Sequence, residues 1–380
     1  MWTVKKRSLP QQFHFAAVSI DGNVYSFGSD AVQQKRREPT SRTLNPTDVY
    51  VFNPRSYTWH QPETQTLPYG WPWKGAFSTV VAYGQCAYLW DVWPFPRSSV
   101  RVIYRFDTTT MTWSHPRMSG HVPLARDGQS VCVVGHRVYI FGGHPRGGVP
   151  LQDIEFLDLE TLQWHRVPTR GDYPQMYDCP VACAIGSRMY VCGSLTGQAD
   201  LDQNVLFYLD TDTLTWVRPH VEGVGPEMGQ CSGFVYDGEL YIFGGYSHKR
   251  KTFVAEIFKY QPKNSRWSQV TPGRPGPPVG MHLLVWCVID KRVFVFGDTR
   301  PDYYCYFEGR RLKVSLEMLA NMPKGKWISL YPKLVSELNV LDFSPSLTTM
   351  CLLTVIDARI DTSALPRLIT KEITAMTSED

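Results

Sequence analysis

Five tryptophans keep time along this chain: Trp59, Trp113, Trp164, Trp216 and Trp267, at spacings of 54, 51, 52 and 51 residues. Gly142, Gly193 and Gly244 run in the same register, with Gly28 and Gly297 as outer members. A period of about fifty residues means copies of one supersecondary unit, none of which can bury its apolar faces alone. The clearest copies are VCVVGHRVYIFGG (131–143) with DIEFLDLETLQW (153–164), and GFVYDGELYIFGG (233–245) with AEIFKYQPKNSRW (255–267). FAAVSIDGNVYSFGS (15–29) with DVYVFNPRSYTW (48–59) is a third. Each copy reads as four strands. The first two form a hairpin over Asp21-Gly22, Gly135-His136, Gly186-Ser187 or Asp237-Gly238, short-turn pairs in which residues with positive φ are favoured. The glycines ending the second strand permit backbone conformations that a Cβ forbids. The third strand ends in several copies at an Asn or Asp turn, and the fourth carries the tryptophan, expected to pack between neighbouring units.

Four-stranded sheets stacked this way close into a ring. Units one to five end at the five tryptophans, and a sixth begins with LLVWCVIDKRVFVFGD (283–298) and continues at LNVLDF (338–343). No Trp-bearing strand follows it, whereas MWTVKK at the N-terminus supplies one. The N-terminal strand is therefore expected to complete the last blade, which leaves no open edge. The period is that of a kelch repeat, and the fold class is all-β, a six-bladed kelch β-propeller followed by a short α-helical C-terminal tail. The propeller spans 1–343 and the tail 344–380. An insert in blade six, about 299–337, carries YYCYF (303–307), an expected helix around 311–320, and Trp327 out of register.

Composition excludes several classes. The 39 basic and 35 acidic residues balance too closely to point to nucleic acid or a membrane surface. Lys35-Arg36-Arg37 and His248-Lys249-Arg250-Lys251 read as solvated loops. No apolar run reaches the ~18 residues of a membrane span, and MWTVKK lacks the apolar core of a signal peptide. Nine cysteines without a CxxC pair read as buried free thiols, placing the protein in the reducing cytoplasm or nucleus. No metal spacing, nucleophile elbow or phosphate loop is present, so no catalytic residue, metal or cofactor is assigned. His14 and His282 recur at equivalent blade starts, which suits a structural role.

The tail changes period. Ser344-Pro345 reads as N-cap and first helical residue. Leu347, Met350, Cys351 and Val355 form one apolar stripe, and Ile369, Ile373 and Met376 form a second after Leu365-Pro366. Those faces either pack on the propeller's own edge or dock into a partner's groove.

The segments VPLARDGQSVCVVGHRVYIFGG (122–143), YDGELYIFGGY (236–246) and LNVLDFSPSLTTMCLLTVI (338–356) resemble the kelch domain-containing protein 3 family over nearly the whole chain. The resemblance implies a substrate receptor of a cullin 2 ubiquitin ligase that binds C-terminal degrons of client proteins. It implies an elongin-binding box at Leu347, Cys351 and Val355, preceded by Ser346, for the elongin B–elongin C pair. It also implies a cullin-binding box at Leu365, Pro366, Ile369 and Ile373. Related receptors hold a client carboxylate with arginines and a serine on blades four and five. Here GSLTGQADLDQN (193–204) and PEMGQCSGF (226–234) contain no arginine, so those contacts are not carried over. Arg126-Asp127 matches the relatives, and Arg126 is the client-binding candidate beside an intrablade salt link. The alternative function is a non-catalytic kelch scaffold for cytoskeletal or chromatin proteins.

Overall fold

The alternating apolar pattern of each unit folds into a four-stranded antiparallel sheet, and the computed structural model contains six of them. It describes residues 1–6, 12–30, 48–65, 77–91, 103–124, 126–145, 151–176, 180–193, 205–229, 231–247, 249–250, 252–272, 285–297, 303–307, 310–314, 331–332, 337–357, 365–366, 369–370, 373–374 and 376. Lys35-Arg36-Arg37, Cys179, His282, Trp327 and the loop 194–204 lie outside them.

From the innermost strand outward, blade one is Gln12–Ile20, Asn23–Asp30, Asp48–Asn53 and Thr58–His60. Blade two is Phe77–Tyr83, Cys86–Asp91, Ile103–Asp107 and Thr112–Ser114. Blade three is Ser130–Val134, Arg137–Phe141, Ile154–Asp158 and Gln163–Arg166. Blade four is Val181–Ile185, Arg188–Gly193, Val205–Asp210 and Thr215–Val217. Blade five is Ser232–Tyr236, Glu239–Phe243, Ile257–Gln261 and Arg266–Val270. Blade six is Val285–Ile289, Arg292–Gly297 and Glu337–Asp342, closed on its outer side by Trp2–Lys6. The closing strand pairs antiparallel, Val4 opposite Val340 and Lys6 opposite Leu338. The expected closure by the N-terminus is what the chain does.

Six buried clusters, one per blade junction, make up the core. At four of them the outer-strand tryptophan meets an aromatic ring in the second half of the second strand of the preceding blade. Trp113 meets Phe27 with ring centroids 5.6 Å apart, Trp216 meets Phe141 at 5.2 Å, and Trp59 meets Phe296 at 5.6 Å. Trp2 meets Phe243 at 6.0 Å, taking the tryptophan place of blade six. Trp164 shares a cluster with Trp90, and Trp267 with Cys192. The indole N–H groups of Trp59, Trp113, Trp164 and Trp216 have no hydrogen-bond partner, so these side chains act by filling volume.

The segments leaving the outer strands add a feature that the sequence reading did not anticipate. Ser119–Gly120 pairs in parallel with Gln163–Trp164 of the next blade, and Arg170–Gly171 with Thr215–Trp216. Gln65 bridges to Thr112 and Glu222 to Arg266 in the same sense. Each of these four linkers thus covers the outer edge of the following blade, a position otherwise open to strand addition. Gly171 has φ +89°, and a Cβ there would collide with the Trp216 carbonyl oxygen. The available signal was a glycine seven residues after the tryptophan at 120, 171 and 223.

The insert departs from its sequence expectation. Arg310–Val314 is a strand paired with Tyr303–Phe307, not the start of a helix over 311–320. The aromatic strand two residues upstream offers a ladder of backbone hydrogen bonds that overrides the good helix propensity of Arg, Leu and Lys. The rest of that segment, 315–330, is outside the described residues. In each blade the first and third turns share one end of the ring, and the variable loops and linkers share the other. The third turns are held by Asn53, Asp107, Asp158 and Asp210, whose side chains accept backbone N–H groups two or three residues on.

Candidate functional site

The third strand of blade six ends at the turn end of the ring, where Phe343 donates its N–H to the Lys291 carbonyl at 2.9 Å. The chain then enters a helix, Leu347–Asp357. Its cap is Ser346, whose Oγ accepts the Thr349 N–H at 3.0 Å. The Ser346 carbonyl accepts the Met350 N–H at 2.9 Å. The expected cap at Ser344 with Pro345 as first helical residue is therefore two residues early. Asp342 Oδ1 instead takes the Ser344 N–H at 2.8 Å in a turn that precedes the helix.

This helix is apolar on two sides. Leu352 and Leu353 are buried at 6% and 4% exposure, with Ile356 half-buried beside them. On the opposite side Leu347 is 77% and Met350 44% exposed, with Cys351 exposed beside Leu347. Val355 lies half-buried at the margin of the two faces. Leu347, Cys351 and Val355 are thus brought onto one side of a helix, with the first two open to solvent.

The second segment is helical at 369–370, 373–374 and 376, with the Thr370 N–H bonded to the Pro366 carbonyl at 3.1 Å. Pro366 is exposed, Leu365 and Ile369 are half-buried, and Ile373 is buried. Met376 packs against the core between blades six and one.

Arg126 opens blade three and is turned inward. Its side chain is 1% exposed and forms a two-pronged pair with Asp153, the Nη2–Oδ2 contact at 3.0 Å. It also donates to the carbonyls of Gly142 and Leu124, each at 3.1 Å, and lies 3.9 Å from Glu155. Of the two sequence readings, the geometry is that of the intrablade salt link. A direct client contact would need donors that this clamp already uses. Burial, and next the Asp153 charge, push the Glu155 carboxyl above its ordinary pKa against the pull of Arg126 and His121.

Elsewhere on the loop end, Tyr246–Ser247 and Thr252–Phe253 form a hairpin in blade five that carries the basic cluster. Lys249 faces Glu227 at 3.5 Å, and Arg250 meets Glu256 at 2.6 Å, so this run is partly neutralised rather than simply solvated. A shallow cavity of about 340 Å³ lies between Asp153, Arg166, Pro168 and Tyr173. Burial pushes the thiols of Cys183 and Cys231 up to about 12, which keeps them protonated and unreactive. Among the described residues no group of His, Cys, Asp and Glu could hold a metal ion, and no helix is long and apolar enough to cross a membrane.

Comparison with known proteins places this architecture. Residues 77–297 match the family described as KLHDC2/KLHL20/DRC7 Kelch-repeats domain. The chain is 32% identical to kelch domain-containing protein 3 of Bos taurus and of Homo sapiens over 394 aligned residues, 99% of this chain and 96% of each relative. The chain belongs to the kelch domain-containing protein 3 family. A more distant likeness, 29% identity over 67% of this chain and 40% of the relative, is to acyl-CoA-binding domain-containing protein 4 of Arabidopsis thaliana. The kelch likeness covers the tail as well as the ring. Kelch propellers of this family are typically non-catalytic scaffolds or receptors, and a protein-interaction role follows for this member.

Proposed function

We propose that this kelch protein is the client-recognition subunit of a cullin 2 ubiquitin ligase. Its tail would dock elongin C of the elongin B–elongin C pair through Leu347, Cys351 and Val355, and cullin 2 through Leu365, Pro366, Ile369 and Ile373. The observation that carries the reading is the second apolar face of the tail helix, which folding leaves open: Leu347 is 77% exposed. A helix that served only to seal the ring would turn that stripe inward. An amphipathic helix offering residues at i, i+3 and i+4 is the usual occupant of a partner's hydrophobic groove. A cysteine suits the middle position as a small apolar group.

The client would lie on the loop end, opposite the turn end from which the tail departs. Arg126 would serve that surface by holding blade three's strands in place. A receptor of this kind performs no chemistry; it raises the local concentration of client at the transferring enzyme. The seven free thiols among the described cysteines suit work in the reducing cytoplasm or nucleus.

Co-purification with the elongin B–elongin C pair tests the reading, wild type beside a Leu347→Ser, Cys351→Phe double variant. The expected result is a stable complex for the wild type and none for the variant, with both propellers folded. Absence of binding by the wild type would leave a kelch scaffold without a ligase arm.

A further inference from the structure

The tail touches the ring at both of its ends, on either side of blade six. At its start, Phe343 stacks on Tyr236 with ring centroids 4.1 Å apart and planes 9° from parallel. It also meets Tyr241 edge-on at 5.2 Å, so it belongs to the core between blades five and six. At its far end Met376 joins the core between blades six and one, where Phe52, Phe294 and Phe296 are buried and Tyr57 and Trp59 pack. Between these points Leu352, Leu353 and Ile373 are buried while Leu347, Met350 and Cys351 are not.

The helix so held has 11 residues. An isolated helix of that length is marginal in water, so its order must come from tertiary packing. Removing one anchor leaves a chain that a partner has to order on binding, and that ordering weakens affinity without any change in the contacts made. We propose that Met376 is a latch: by packing on the junction of blades six and one it holds the tail helix pre-formed, with Leu347, Met350 and Cys351 presented to the partner. Met376 is then a positioning residue for docking, acting through the helix rather than at the interface. The inference rests on the elongin-docking reading for its functional consequence, but the latch itself concerns the free chain.

The test compares wild type with Met376→Asp, Met376→Ala and Met376→Leu in the full-length chain. Hydrogen exchange is followed in the tail helix (350–357) and in the second strand of blade three (137–141), and affinity is measured for the elongin B–elongin C pair. Met376→Asp is expected to speed exchange of the tail helix by roughly ten-fold or more and leave the blade-three strand unchanged. It should weaken elongin binding by roughly ten-fold, the scale of ordering one or two extra side chains. Met376→Ala should fall between, giving the answer if the aspartate disturbs the ring, and Met376→Leu should restore both values. Tail exchange equal in Met376→Asp and wild type overturns the latch, as does an affinity loss unaccompanied by faster exchange. If the wild type fails to bind the elongin pair, the ligase reading falls and the exchange arm alone decides the latch.

Discussion

The blade junctions and the tail helix use the same kinds of residue to opposite ends. Around the ring each large apolar side chain finds a counterpart in the next blade: Trp216 is 1% exposed and lies 5.2 Å from Phe141. In the tail, Leu347 is 77% and Met350 44% exposed to solvent. Removing apolar surface from water is worth roughly 25 cal/mol per Å², so folding collects that return at the junctions and leaves it uncollected on the helix. On the docking reading proposed above, that uncovered stripe is the surface a partner would bury.

The contrast has measurable consequences. Trp216→Ala opens a cavity at the junction of blades three and four and should cost about 3–5 kcal/mol in denaturant unfolding. A loss under 1 kcal/mol would mean that the neighbouring blades relax into the space and the junctions are not the stabilising unit. Next in size is Arg126→Met, which breaks the Asp153 pair and leaves the buried carboxylate of Glu155 with His121 alone. Breaking a buried pair in this way costs about 3–5 kcal/mol at the upper end, and the half-exposed edge of Asp153 should bring the loss below that of Trp216→Ala. If stability is unchanged while client capture is lost, Arg126 is a contact after all.

On the tail the expectation reverses. Leu347→Ser with Cys351→Phe should change unfolding stability by no more than about 0.5 kcal/mol, the range for exposed positions. A large loss would show that the stripe packs on the ring in solution and would erase the contrast. The smallest effect belongs to the turn end. The Thr213 backbone N–H, bonded at 3.0 Å, holds the Asp210 carboxyl below its ordinary pKa. A carboxylate with a depressed folded-state pKa contributes stability that is present above its unfolded value, near pH 4, and lost as pH falls through the folded one. Asp210→Asn should keep the turn, as Asn53 does in blade one, and flatten the stability profile between pH 5 and pH 3. An unaltered profile would assign the acid sensitivity to other carboxylates.

Much of this was open to reading from one chain. The tryptophan and glycine register carried the blade count, and the missing sixth tryptophan strand pointed to Trp2, because a ring of equal units has to be completed. Spacing on the same terms marked the Leu347–Val355 stripe, which either packs on the ring or docks, and only the family resemblance pointed to docking. Other features depend on neighbours far away in the chain. Ser344 looked like a cap until Asp342 was seen to hold its N–H, and Arg311–Val314 looked helical until Tyr303–Phe307 was seen beside it. The linker pairing was encoded by glycines 120, 171 and 223, yet a glycine after a strand has many uses, and only the proximity of the next blade's tryptophan carbonyl selects one.

By itself the sequence determined the period, the strand content, the identity of the closing strand and one apolar stripe on the tail helix. These are local or periodic properties, set by residue spacing against the 2.0 and 3.6 periodicities of strand and helix. Only the tertiary structure decided which side of that helix is buried, because Leu352 and Leu353 are as apolar as Leu347 and Met350. It likewise decided that Arg126 turns inward to Asp153 and Glu155, and that Met376 reaches the junction of blades six and one. Those outcomes follow from what the closed ring places within reach of each side chain, a quantity that spacing along the chain does not contain.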